Sequence, residues 1–239
     1  MFLNNYQYPE KREAFKIFLL FLVSILIRIP VVLLFGDINL ENEWMVLLHN
    51  ITKHGTLSLK NFDGYLLPNL WMPPLYAYYI YFFSFFKLDH QNFISLILFS
   101  QVFLASISVI IFYKINKLFF SNKISLFNAL LFSLFPLYAY SCSQISSASL
   151  HIFLAMFFYY YFFKIANNKK KLSIFLFSLI TGLLILTRRE FIAVFALSSF
   201  YLFLFFKIPI KKILLIILIT LITTSPYLIR NFIEFKKIT

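Results

Sequence analysis

Long apolar runs separated by short polar breaks set the pattern of this chain. About 20 predominantly apolar residues cross a hydrocarbon core as a helix. Runs near that length occupy residues 14–35, 93–113, 124–140, 150–166, 172–187, 191–206 and 213–229. The pattern predicts an all-α, polytopic membrane helical bundle with seven transmembrane helices. One stretch, residues 35–86, departs from it. It carries Asp37, Glu41, Glu43 and Asp63, much of the acid in the chain. Within it, residues 44–54 set Met45, Leu48 and Thr52 on one side, as in a short helix lying flat on a membrane, and Gly55 is its expected stop. Pro73-Pro74 then opens LYAYYIYFFSFF, whose tyrosines suit a second interfacial helix. A short tilted span is the alternative for that segment.

Charge decides between the two. With residues 73–86 kept outside, the loops holding Lys114, Lys117 and Lys123, then Lys164, Lys169, Lys170 and Lys171, then Lys207, Lys211 and Lys212 all face the cytoplasm. None of these loops contains an acid, and cytoplasmic loops gather Lys and Arg. The expected topology therefore has the N-terminus inside, behind Lys11, Arg12 and Lys16, and the C-terminus outside. Arg188 and Arg189, in the turn before residue 191, and Arg230, after the last span, then sit on the outer side against the orientation rule. An anionic ligand at the outer face would account for them, as would snorkelling to lipid headgroups. Arg28, inside the first run, is expected to snorkel or to face a polar cavity.

Composition agrees. The 239 residues are 61% hydrophobic and 13% charged, more apolar surface than a soluble domain hides. The net charge of +13 follows from the cytoplasmic flanks and points to no nucleic acid. A single cysteine, Cys142, excludes an internal disulfide and a cysteine metal cluster. His49 and His54, five apart, do not align on a helix face as metal ligands do at a spacing of four, and His151 is expected to be packed or hydrogen bonded. No phosphate loop, dinucleotide fingerprint or Ser-His-Asp order appears. The use of Phe, Ile, Lys and Asn suggests a bacterial chain of the inner (cytoplasmic) membrane.

Four features together resemble the GT-C integral-membrane glycosyltransferases, the group that includes protein O-mannosyltransferases and bacterial polyprenyl-phosphate-sugar transferases. They are the early outer-loop acids in GDINLENEW, the element Met72-Pro73-Pro74-Leu75-Tyr76, the basic turn from Tyr113 to Phe119, and Ser225-Pro226-Tyr227-Leu228-Ile229-Arg230-Asn231-Phe232. The resemblance implies a single transmembrane module over 1–239, with a first outer loop at 36–90 and the C-terminal part of the family fold absent. It also implies an inverting transfer on the extracytoplasmic side from a polyprenyl-phosphate sugar to a glycan, lipid or protein acceptor. The chain is shorter than is usual in that group. Its second outer loop, SCSQISSAS at 141–149, has no acid.

Inverting transfer needs a base for the acceptor hydroxyl. Asp37 is placed for it, directly after the outer end of the first run; capping the next helix is the other reading. Glu43 is expected to bind the acceptor or orient the base, or else to be an exposed loop acid; Glu41 and Asp63 are expected to be solvated. Arg230, with Asn231, and Arg188 and Arg189 are candidates for the leaving phosphate, since guanidinium groups pair well with it; anchoring helix ends is the alternative. Pro73, Pro74 and Tyr76 complete the substrate-binding set. Trp71, Tyr78 and Tyr79 would stack on sugar, line a lipid groove, or belong to an interfacial belt. The expected cofactor is none, with metal not required and the sugar carried by lipid. Two other functions remain open: a catalytically silent or truncated membrane subunit, and a lipid-carrier transporter, which would place ionisable groups deep in several spans.

Overall fold

The structure is a computed structural model describing residues 11–236 apart from 41, 63–64, 70–71 and 169. Glu41, Asp63, Trp71, Lys169 and Lys237 lie outside the described residues. In chain order the elements are α1 (Lys11–Phe35), α2 (Asn42–His54), β1 (Ser58–Phe62), β2 (Tyr65–Pro68), α3 (Pro74–Ser84), α4 (His90–Asn116), α5 (Asn122–Leu134), α6 (Pro136–Tyr140), α7 (Ala148–Asn168), α8 (Lys171–Thr187), α9 (Phe191–Leu204) and α10 (Ile210–Phe235). Helices dominate, and the protein is a multi-pass membrane helical protein. Four helices, α1, α4, α7 and α10, are long and apolar enough to cross a membrane by length and composition; α8 and α9 are apolar but shorter.

The segment expected as one helix over 124–140 is two. Pro136 lacks the N–H that would continue the ladder and restricts the residue before it. Phe135 accordingly leaves helical geometry at φ −60°, ψ 115°, ending α5, and Pro136 starts α6 in the first-turn position that proline tolerates.

The chain forms two compact units. The first comprises Met1–Asp37 and Leu98–Phe177, the second Ile38–Ile97 and Ser178–Thr239. In the first, α1 packs on α5 and α6. Arg28 lies wholly buried there: its Nη1 donates to the Ser24 carbonyl (3.1 Å), the Ser24 hydroxyl (2.7 Å) and the Ser133 hydroxyl (3.3 Å), and its guanidinium sits 4.8 Å from the Tyr138 ring. It does not snorkel: its surroundings are the hydroxyls of Ser24 and Ser133 and the Tyr138 ring. At the start of α1, Glu13 pairs with Lys117 and accepts a hydrogen bond from Tyr113 (3.3 Å).

In the second unit, α2 forms where expected and stops at Gly55. That residue adopts φ 67°, a left-handed conformation open to glycine, and donates its N–H to Ile51 O (3.0 Å). The face it buries within the protein is a different one from that of Met45, Leu48 and Thr52. Leu47 and Ile51, four apart, pack with Leu57 and Ala77 among Trp44, Leu59, Met72, Tyr81 and Tyr227, while Met45 is exposed. Each such buried aliphatic side chain contributes about 1.5–3 kcal/mol. Between α2 and α3 the sequence reading expected no strand. The antiparallel hairpin β1–β2 is there, with Phe62 opposite Tyr65. The signal was available, because Asp63-Gly64 between the two strands is a favoured tight-hairpin dipeptide. Pro73 and Pro74 start α3 as expected, and Tyr76, Ala77 and Ile80 turn its buried face inward.

Candidate functional site

Asp37 belongs to the first unit, where the chain leaves α1. Gly36 makes that exit possible: a Cβ there would lie 2.3 Å from the Val32 carbonyl oxygen. The Asp37 N–H then donates to Ser143 O (2.9 Å), and the carboxylate Oδ2 accepts the Ile145 N–H (2.6 Å). Gln144 Nε2 returns a hydrogen bond to Phe35 O (3.1 Å). So Asp37 does not cap α2. It is bonded to the loop between α6 and α7, which contributes backbone groups and no acid. Among the described residues Oδ1 has no hydrogen-bond partner, so one carboxylate oxygen is fixed and the other can accept a proton. The same loop is held from α4, where buried Gln101 donates through Nε2 to Cys142 O (3.2 Å) and Gln144 O (2.9 Å). Sequence reasoning passed over Gln101, a lone amide in an apolar run. A polar side chain in mid-span was its only signal.

All the other predicted site residues belong to the second unit. Arg230, on α10, donates from Nη1 to Asn69 O (2.9 Å) and to Asn231 Oδ1 (3.0 Å), and from Nη2 to Leu57 O (2.9 Å). Leu57 and Asn69 flank the hairpin at its two ends, and the Asn69 N–H itself donates to Leu57 O (2.7 Å). A guanidinium has five N–H groups; three are used here, which leaves Nε–H and one Nη2 hydrogen. The neighbourhood is polar and aromatic. Tyr227, one turn earlier on α10, has a buried hydroxyl without a hydrogen-bond partner. Burial pushes the Tyr78 phenol on α3 up, and the Arg230 charge partly offsets that.

Asn231 is fully buried beside Arg230. Tyr76 is buried with its ring 4.7 Å from Trp44 and stacked on Tyr79 at 5.5 Å. It is a packing residue behind Pro73 and Pro74 rather than an open stacking platform. Glu43 is exposed in the first turn of α2, and Arg188 and Arg189 are exposed in the turn between α8 and α9. Two further polar side chains that sequence reasoning did not single out support the hairpin. Asn50 donates to Ser58 O (2.8 Å), and Asn69 exchanges hydrogen bonds with the Met72 backbone (3.2 Å each). Among the described residues no group of three or more His, Cys, Asp or Glu is placed to hold a metal ion.

The family described as dolichyl-phosphate-mannose-protein mannosyltransferase matches residues 72–229. The match takes in Pro73, Pro74, Tyr76, Arg188 and Arg189 and stops one residue before Arg230; Asp37 and Glu43 lie ahead of it. No curated protein and no solved structure matches the chain.

Proposed function

Because the chain belongs to the dolichyl-phosphate-mannose-protein mannosyltransferase family, whose members are membrane glycosyltransferases of the GT-C type, we propose that it moves a sugar from a polyprenyl-phosphate carrier to an acceptor hydroxyl, with inversion and with Asp37 as base. In this reading the protein is a seven-span module of the bacterial inner membrane, N-terminus inside. Transfer takes place on the extracytoplasmic side. The acid-free lysine loops support that orientation.

The single observation that carries the reading is the state of Asp37. A backbone N–H fixes one of its oxygens and the other is left open. The open oxygen takes the acceptor proton as the acceptor oxygen bonds to the anomeric carbon. The bond from that carbon to the phosphate oxygen breaks, and the pair of electrons leaves with the polyprenyl phosphate. Charge builds on the departing phosphate, where guanidinium donors lower the barrier. Arg188 and Arg189, exposed in the turn between α8 and α9, are candidates for that task, while Arg230 has two N–H groups to offer. Glu43, exposed on α2, is a contact for the acceptor.

The test is transfer from radiolabelled polyprenyl-phosphate mannose in proteoliposomes holding the full chain. Wild type should transfer above background. Asp37→Asn should cut transfer by roughly 10²–10⁴-fold, and the double variant Arg188→Ala/Arg189→Ala should raise the donor KM. An Asp37→Asn protein that works at the wild-type rate would sink the assignment of the base. If wild type transfers nothing from mannosyl, glucosyl or arabinosyl donors, a catalytically silent membrane subunit becomes the better reading.

A further inference from the structure

The chain of hydrogen bonds behind Asp37 starts in the middle of an apolar helix. Gln101 is wholly buried on α4, and its amide group faces two carbonyls of the loop that follows α6. That loop, at 141–147, has no charged side chain and little apolar bulk of its own to hold it in place. What fixes it is backbone pairing: Ser143 O accepts the Asp37 N–H, and Gln144 reaches Phe35 O. Gln101 donates to Cys142 O and Gln144 O, the carbonyls either side of Ser143. The next N–H along, that of Ile145, is the one bonded to the Asp37 carboxylate.

We infer that Gln101 is a positioning residue for Asp37, holding the 142–145 backbone so that the Ile145 N–H fixes Oδ2 and aims Oδ1. The inference rests on the reading of Asp37 as base. A side chain of this length with two hydrogens on one nitrogen can satisfy both carbonyls. Leucine would leave both unpaired, and glutamate, when ionised, would face them with an acceptor. A base works only within hydrogen-bond reach of the proton it takes. Displacement of a reacting group by about 1 Å costs on the order of a hundredfold in rate.

The experiment uses the full chain in proteoliposomes, with polyprenyl-phosphate mannose as donor and hydrogen exchange of peptides spanning 141–147 as a second readout. Gln101→Leu should speed exchange of the Ile145 amide by about tenfold or more, as Asp37→Ala should, while α7 keeps its protection. Its kcat should fall by about tenfold to a hundredfold with the donor KM within about twofold, because the loss is one of aim rather than of affinity. Gln101→Glu should be poor at neutral pH. It should recover protection at Ile145, and rate relative to wild type at the same pH, as acidification protonates the glutamate and restores one donor. Unchanged exchange at Ile145 in Gln101→Leu overturns the inference, and so does faster exchange with an unchanged kcat. If Gln101→Leu does not fold, Gln101→Glu decides: an Ile145 protection indifferent to pH overturns it. Wild-type transfer by Asp37→Asn instead removes the base reading, and the exchange result then judges only Gln101's hold on the loop.

Discussion

Asp37 and Arg230 look alike in the sequence, each a charged residue where an apolar run ends, yet the structure employs them differently. In the first unit the chain works for the charge: a loop without acids bends back so that one backbone N–H meets the Asp37 carboxylate, and one oxygen stays open. In the second unit the charge works for the chain. Arg230 ties Leu57, Asn69 and Asn231 together, with most of its hydrogens spent on neutral oxygens. A charged group held by its surroundings is prepared for chemistry. A charged group that holds its surroundings is committed to structure, and only its leftover valence is available to a ligand.

The largest expected effect tests the first half of that contrast. Asp37→Asn keeps an oxygen able to accept the Ile145 N–H but cannot take a proton. Transfer should fall by roughly 10²–10⁴-fold, while thermal unfolding in detergent changes little. A large loss of stability with proportionate loss of rate would instead make Asp37 a second Arg230.

The second effect is the mirror image. Arg230→Ala removes three hydrogen bonds from a charged donor and should cost about 3 kcal/mol of stability. Hydrogen exchange should then quicken along β1 and β2. Arg230→Lys should recover only part, because a compact ammonium cannot reach both carbonyls in the fork geometry of guanidinium. If Arg230→Ala leaves unfolding and exchange unchanged but raises the donor KM at least tenfold, Arg230 is a phosphate ligand and the contrast fails.

The sequence made the membrane class and most helices legible because apolar runs of membrane-crossing length are a one-dimensional signal. Helices α2 and α3 were also readable, since Gly55 marks the end of one and Pro73-Pro74 the start of the other locally. What escaped was set by long-range partners. Whether Asp37 caps α2 or bonds elsewhere depends on Ile145, 108 residues away, and the work of Arg230 depends on Asn69 and Leu57, 161 and 173 residues away. The break at Pro136 and the pairing of β1 with β2 are different. Their signals are local, but the hydrophobic count over 124–140 and the loop reading of 36–90 overrode them. Buried Arg28 follows neither route, because its partners Ser24 and Ser133 give little more than small-residue gaps in apolar runs.

A smaller effect tests whether the second unit's knot is shared. Asn69 supplies a carbonyl to Arg230 and two side-chain hydrogen bonds to Met72. Asn69→Ala keeps the carbonyl and loses the side-chain pair, so it should cost about 1–2 kcal/mol, less than Arg230→Ala. The double variant should cost less than the sum, because both act on one junction. Strict additivity would mean that Arg230 and Asn69 hold separate parts.

The smallest effect comes from a third carboxylate that serves as a control for Asp37. Asp89 precedes α4 and accepts hydrogen bonds from the side chain and the backbone N–H of Asn92, two residues into the helix. Those bonds hold its carboxyl below the ordinary 3.8, the side-chain bond contributing most. A lowered folded value means that the unfolded chain binds the proton more readily. The stabilisation is therefore complete at pH above the ordinary value and is lost as pH falls through the lowered one. Asp89→Asn should remove that acid-limb dependence and, because its amide oxygen can still accept the Asn92 N–H, cost little stability at neutral pH and nothing in transfer rate, measured as unfolding temperature against pH. Both acids are bonded to backbone N–H groups, but only Asp37 keeps an oxygen free. If the rate also followed Asp89, a hydrogen-bonded carboxylate at a helix boundary would matter to transfer without an open oxygen, and the distinction drawn for Asp37 would lose its footing.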